Sequence, residues 1–209
     1  MQAAPPRRLR RRWLALAALP VILAGVTAVG SVGVAVAYES TKSALPVTPA
    51  DRALVFEADA LAPELAPRRG AGGTLEKFAY FDGSWELCYS FEDDALLLVS
   101  TVACEGSPRE AEVGLRAAWG GLRAGTELLG GEAALVPVEG FEAGDARRLG
   151  RIEVDGAPVG SAAAVRVGRY VVTVVLQGRW FVDAAEAEAA LAPSLDALRA
   201  LSDAEAAAE

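Results

Sequence analysis

Between Ser84 and Glu92 the chain alternates. Trp85, Leu87, Tyr89 and Phe91 are aromatic or aliphatic, and Glu86, Cys88, Ser90 and Glu92 fall between them. A period of two predicts a strand with one buried face. Asp82-Gly83 separates this run from residues 76–81, and aspartate followed by glycine favours a two-residue type I′ hairpin turn, in which both positions need positive φ. Glu92-Asp93-Asp94-Ala95 then turns the chain into residues 96–104, LLLVSTVAC, completing a predicted three-stranded meander. A second hairpin system runs through residues 148–154, a turn at Asp155-Gly156, residues 161–167, a bend at Gly168 and residues 169–177. Within it YVVTVVL is apolar on both faces apart from Thr173, the pattern of a central strand.

Two stretches switch to helical spacing. Ser107-Pro108-Arg109-Glu110 is a capping box with proline at the first helical position, followed on one face by Ala111, Leu115, Ala118, Trp119 and Leu122, and the pair Gly120-Gly121 predicts the end of the helix. Asp183-Ala184-Ala185-Glu186 opens the other, with Ala187, Leu191, Leu195 and Leu198 as its stripe. Pro193 lies inside it and predicts a kink or restart. Strands arranged in hairpins, with few helices, predict an α+β domain whose mainly antiparallel sheet packs on those helices.

Ahead of this domain the pattern vanishes. Residues 13–38, WLALAALPVILAGVTAVGSVGVAVAY, are 26 positions without a charge. As a helix they would reach about 39 Å, more than the ~30 Å hydrocarbon core of a bilayer. Arg7, Arg8, Arg10, Arg11 and Arg12 precede them, whereas all 28 acids lie from Glu39 onward, giving that part a net charge of −13 against −8 for the whole chain. The positive-inside bias then places the amino terminus in the cytoplasm and the bulk of the chain outside. The expected organisation is a basic cytoplasmic tail (1–12), a transmembrane helix or uncleaved signal anchor (13–38) partnered by the lipid bilayer, a polar linker (39–50), an extracytoplasmic domain (51–201) and a flexible tail (202–209). The alternative is a secretory signal cleaved after Ala37, since Ala35-Val36-Ala37 fits the small-x-small rule.

The order of elements over residues 76–201, with FAYFDGSWELCYSF opening the meander and GRYVVTVVLQG before the last helix, resembles exported α+β domains of the Mog1/PsbP-like type. It is similar, too, to bacterial extracytoplasmic domains with a YxNGxAExY-like opening, here Tyr80, Asp82-Gly83, Glu86 and Tyr89, with aspartate in place of asparagine and tryptophan in place of the small residue. The resemblance implies an assembly or scaffold role without chemistry, and carries no catalytic residue onto this chain.

The chain has no histidine, which excludes Ser-His-Asp triads, Cys-His dyads, HExxH zinc sites and imidazole general bases. GxxxxGK[ST], GxGxxG and GxSxG are missing, and the acid excess repels nucleic acid. No cofactor or metal is expected. Cys88 and Cys104 are the only thiols. Pairing the meander about Asp93-Asp94 sets Cys88 opposite Val99 and Cys104 opposite Gly83, roughly 16 Å apart, beyond the ~7 Å limit for a bridge. Both are therefore expected to be buried and reduced. Six of the fourteen aromatic residues lie between Phe78 and Phe91. With Tyr80 opposite Trp85 and Phe78 opposite Leu87, most share one face, as core or as a platform for a ligand or partner. Arg166 and Arg169 flank a tight bend where a carboxylate or phosphate could be received, or where they pair with the domain's own acids. Phe78, Tyr80, Trp85, Tyr89, Arg166 and Arg169 are thus the candidate surface. The expected function is a non-enzymatic, membrane-tethered extracytoplasmic binding or scaffold domain of the bacterial envelope, with an envelope protein as partner. A small-ligand binder using the aromatic face, and a hydrolase using paired carboxylates, are the alternatives.

Overall fold

The computed structural model describes residues 42–61, 73–128 and 132–208. The 13–38 span and the basic tail lie outside the described residues. Among the described residues, no helix is long and apolar enough to cross a membrane.

Eight strands form one antiparallel sheet: β1 (Ser43–Leu45), β2 (Thr74–Ala79), β3 (Trp85–Glu92), β4 (Leu97–Cys104), β5 (Ala133–Pro137), β6 (Ala146–Val154), β7 (Ala157–Val167) and β8 (Tyr170–Gln177). Their spatial order is β1-β2-β3-β4-β8-β7-β6-β5, so β8 joins the meander to the second hairpin system and β1 and β5 are the edges. Among the described residues the α-helices are α1 (Pro49–Arg52), α2 (Pro108–Leu128) and α3 (Ala184–Ala206). The α+β class and the antiparallel sheet are as expected. Residues 43–50, expected as linker, instead hold β1 and the start of α1, and residues 202–206 continue α3 rather than forming a loose tail.

The sheet is covered on both faces. On one, Leu87, Tyr89, Val102, Val172, Val174 and Leu176 bury against Ala187, Leu191, Leu195 and Leu198 of α3, with Leu54, Val55, Phe56, Ala58 and Leu61 also in that core. Buried serines tie the crossing segments down. Phe56 N–H donates to Ser100 Oγ (3.0 Å), Phe181 N–H to Ser161 Oγ (3.0 Å), and Ser194 Oγ–H to the Val55 carbonyl (2.9 Å). Each of these backbone groups would otherwise be buried without a partner. On the other face, Ala111 and Leu115 of α2 pack on Ala164 and Val171, and Leu122 packs on Ile152, Ala162 and Val175. That stripe continues past Gly120-Gly121, and α2 runs through the pair: the apolar contact beyond it outweighs the ~1 kcal/mol propensity cost of each glycine. α3 likewise runs unbroken past Pro193, which lies on its exposed side.

Two registers differ from expectation. The Tyr80–Ser84 loop closes with Tyr80 N–H donating to the Ser84 carbonyl and Gly83 N–H to the Tyr80 carbonyl, and only Gly83 has positive φ (84°). The turn is therefore a three-residue loop, and β2 and β3 are displaced by one residue, with Ala79 opposite Trp85 and Phe78 opposite Glu86. In the β3–β4 hairpin Glu92 pairs with Leu97, which sets Cys88 opposite Thr101 and Cys104 opposite Trp85. Both thiols are free; Cys104 is buried and Cys88 half-buried. Their strand parity puts them on opposite faces of the sheet, which separates them more decisively than distance along the strand. Burial pushes the Cys88 and Cys104 thiols up to about 11, so both stay protonated at neutral pH and are poor nucleophiles. Non-reducing mass spectrometry of the air-oxidised protein should find no intrachain link between them. A Cys88–Cys104 peptide would overturn this placement.

Candidate functional site

The observed registers divide the aromatic cluster. Trp85, Tyr89 and Phe91 turn toward the α3 side, while Phe78, opposite Glu86, is on the other face with Lys42 Nζ 4.0 Å from its ring centre. Tyr80 lies in the hairpin loop and donates its hydroxyl to Glu86 (2.8 Å). Tyr89 is core: its ring is buried and its hydroxyl oxygen accepts from Ala58 N–H at 3.3 Å. A single-faced platform of Phe78, Tyr80, Trp85 and Tyr89 is therefore not what the sheet builds. The physical reason is the one-residue slip, since every step along a strand exchanges the two faces.

Two of the six candidates do come together, around a residue that local pattern did not single out. Tyr170 starts β8 opposite Cys104, and Cys104 is opposite Trp85, so the three share a row across the sheet. The rings of Trp85 and Tyr170 lie 5.8 Å apart at 49°, within the range of favourable tilted pairs. The Arg169 guanidinium is 5.9 Å from the Tyr170 ring and donates to Glu205 of α3 at 3.1 Å. On the other flank Lys77 Nζ sits 5.1 Å from the Trp85 ring. A cation, two aromatic rings and a second cation thus follow one another at this end of the sheet. Burial raises the Tyr170 phenol above its ordinary value, so it is neutral at physiological pH. Arg166 belongs elsewhere: it lies on the α2 side, 3.4 Å from Glu112 and 3.3 Å from Asp145, and donates to the Gly168 carbonyl at 3.0 Å. Its acids are the domain's own.

Lys77 is itself held. Its ammonium donates to Asp51 Oδ1 at 2.7 Å, and Asp51, 4 % exposed, also accepts from the backbone N–H and hydroxyl of Thr48 (2.7 and 2.8 Å). Burial alone would raise the Asp51 carboxyl, but the hydrogen bonds from Lys77 and Thr48 outweigh it and hold it below the usual value. Because the folded pKa is depressed, this carboxylate stabilises the fold above its unfolded pKa, and that contribution is lost as pH falls through the folded one. Asp51→Asn should cost about 1.5–3 kcal/mol near neutrality, the worth of a charge-assisted buried hydrogen bond. It should also flatten the acid limb of stability against pH. Urea titrations at pH 3 to 7 check this, and an unchanged acid limb would contradict it.

Several acids meet near the same end. Burial raises Glu105, with Glu110, Asp82 and Glu86 adding to the shift. At the opposite end of the sheet, Asp93 uses Oδ1 to accept from Ala95 and Leu96 N–H (2.7 and 2.8 Å), a turn-capping role. Among the described residues no group of three or more potential metal ligands comes together. The sequence signal that could have located the Trp85–Tyr170–Arg169 group is the position of Arg169-Tyr170 directly after the Gly168 bend, since a strand's first residues lie at the sheet's end. Comparison with known proteins gives no matching family model, curated protein or solved structure.

Proposed function

We propose that this chain is a non-enzymatic, membrane-tethered extracytoplasmic domain of the bacterial envelope that binds another envelope component. The observation that carries the reading is the 26-residue uncharged run, preceded by five arginines and followed by a strongly acidic domain. Two features of the fold support a binding role. Trp85 lies half-buried at the sheet's end, where an aromatic ring offers contact area to a partner, with Lys77, neutralised by Asp51, packed against its ring. The potential nucleophiles Cys104 and Tyr170 are buried and protonated.

The test is fractionation of cells making the full chain. The protein should stay in the membrane pellet through an alkaline carbonate wash, and a carboxy-terminal tag should be cut by protease added outside. Intact chain in the soluble fraction without detergent would overturn the tether. Crosslinking in whole cells should trap a second envelope protein, and recovery of monomer alone would count against the binding role.

A further inference from the structure

The sheet's connectivity gives the domain an orientation. β1 pairs with β2 so that Ser43 is opposite Ala79, one residue before the Tyr80–Ser84 loop. The chain therefore enters the sheet at the end that carries this loop. Lys42, the first described residue, already packs its ammonium over Phe78 at 4.0 Å. From Tyr38, the last residue of the uncharged run, to Lys42 there are four steps of chain, at most about 14 Å. The other end of the sheet, with the Asp93-Asp94 turn, is farther by the eight residues of β3, roughly 26 Å.

At the near end, Phe81 occupies the tip of the hairpin loop and is 74 % exposed, the most exposed large apolar side chain among the described residues. We infer that the Tyr80–Ser84 loop faces the bilayer and that Phe81 enters the lipid interface, so that the membrane surface carrying the tether is also a docking surface for the domain. This rests on the tether proposed above. The tether supplies a high local concentration of lipid, which lets one ring matter where it would not for an untethered protein. Phenylalanine is also among the side chains that interfacial segments bury at the headgroup–acyl boundary. Charge does not drive the contact, because Asp82 at the tip and Glu105 in the loop after β4 oppose an anionic surface, and Arg169 nearby is already paired with Glu205. Contact is therefore expected on uncharged lipid.

The experiment uses the full chain in phosphatidylcholine proteoliposomes. An environment-sensitive fluorophore is attached at Phe81→Cys, at Asp82→Cys as a second reporter of the tip, and at Asp94→Cys at the far end. Wild-type chain carried through the same labelling gives the background from Cys88 and Cys104. Lipids bearing a nitroxide near the top of the acyl chain should quench positions 81 and 82 several-fold more than position 94, with a blue-shifted emission at 81. Equal quenching at 81 and 94, or stronger quenching at 94, would overturn the inference. If the chain in those samples resists a carbonate wash, the tether survives that result. If the wash removes it, the tether fails and the orientation with it.

Discussion

Tyr170→Ala is expected to destabilise the domain by about 3–5 kcal/mol, the range for truncating a large buried aromatic side chain. Tyr170 is fully buried, packed at a tilt against Trp85 and covered by Arg169, so the truncation removes a ring from the row that joins the meander to the second hairpin system. For a domain of this size that corresponds to a fall in Tm of roughly 6–20 °C. Tyr170→Phe separates the ring from its hydroxyl. The hydroxyl lies within reach of Glu205, Arg169 and Cys104 but makes no well-aligned hydrogen bond, so deleting it should cost at most about 1 kcal/mol, the net worth of one hydrogen bond. Thermal unfolding of the three full-length proteins in detergent, followed by circular dichroism, distinguishes these effects. A Phe variant as unstable as the Ala variant would mean that the hydroxyl, not the ring, holds the row.

Gly178→Ala should cost about 2–5 kcal/mol, although it adds a single methyl group. Gly178 closes β8 with φ of 86°, and a Cβ placed on it would lie 1.9 Å from the Ala95 carbonyl oxygen, a backbone atom that cannot swing aside. The positive φ contributes about 1–2 kcal/mol of that, and the forced backbone shift the rest. Gly83→Ala is the control. Its φ is 84°, nearly the same, but a Cβ there meets nothing within 4 Å, so only the conformational part should appear. Equal losses in the two variants, measured by urea titration, would show that the Ala95 contact carries no weight.

Pattern was legible in the sequence, and residue count within the turns was not. The alternation from Trp85 to Phe91 kept its meaning: Leu87, Tyr89 and Phe91 are buried. At Asp155-Gly156 both residues have positive φ, 54° and 73°, as a two-residue turn requires. At Asp82-Gly83 the same dipeptide serves a three-residue loop, with Asp82 Oδ1 accepting from Ser84 N–H (3.0 Å) and hydroxyl (2.6 Å). Nothing in the two residues themselves distinguishes the cases, and the difference of one position moved Phe78 away from Trp85. β1 and β5 escaped because edge strands of three and five residues are too short to show a period. Pattern points to Trp85 and Arg169 singly, but their meeting at Tyr170 depends on β8 lying beside β4, a long-range pairing that local pattern does not encode.

The β5 edge has a built-in limit on growth. Val138 N–H donates to the Leu149 carbonyl and Asp155 N–H to the Glu132 carbonyl, which fixes the even-numbered residues as the ones bonded to β6. Pro137, opposite Gly150, is then on the outward-facing set, where its missing donor leaves only Ala133 and Leu135 to offer N–H groups to a newcomer. An apolar strand that would otherwise recruit copies of itself is stopped at one end by an imino acid, and molecules crowded side by side are kept from zipping into ribbons.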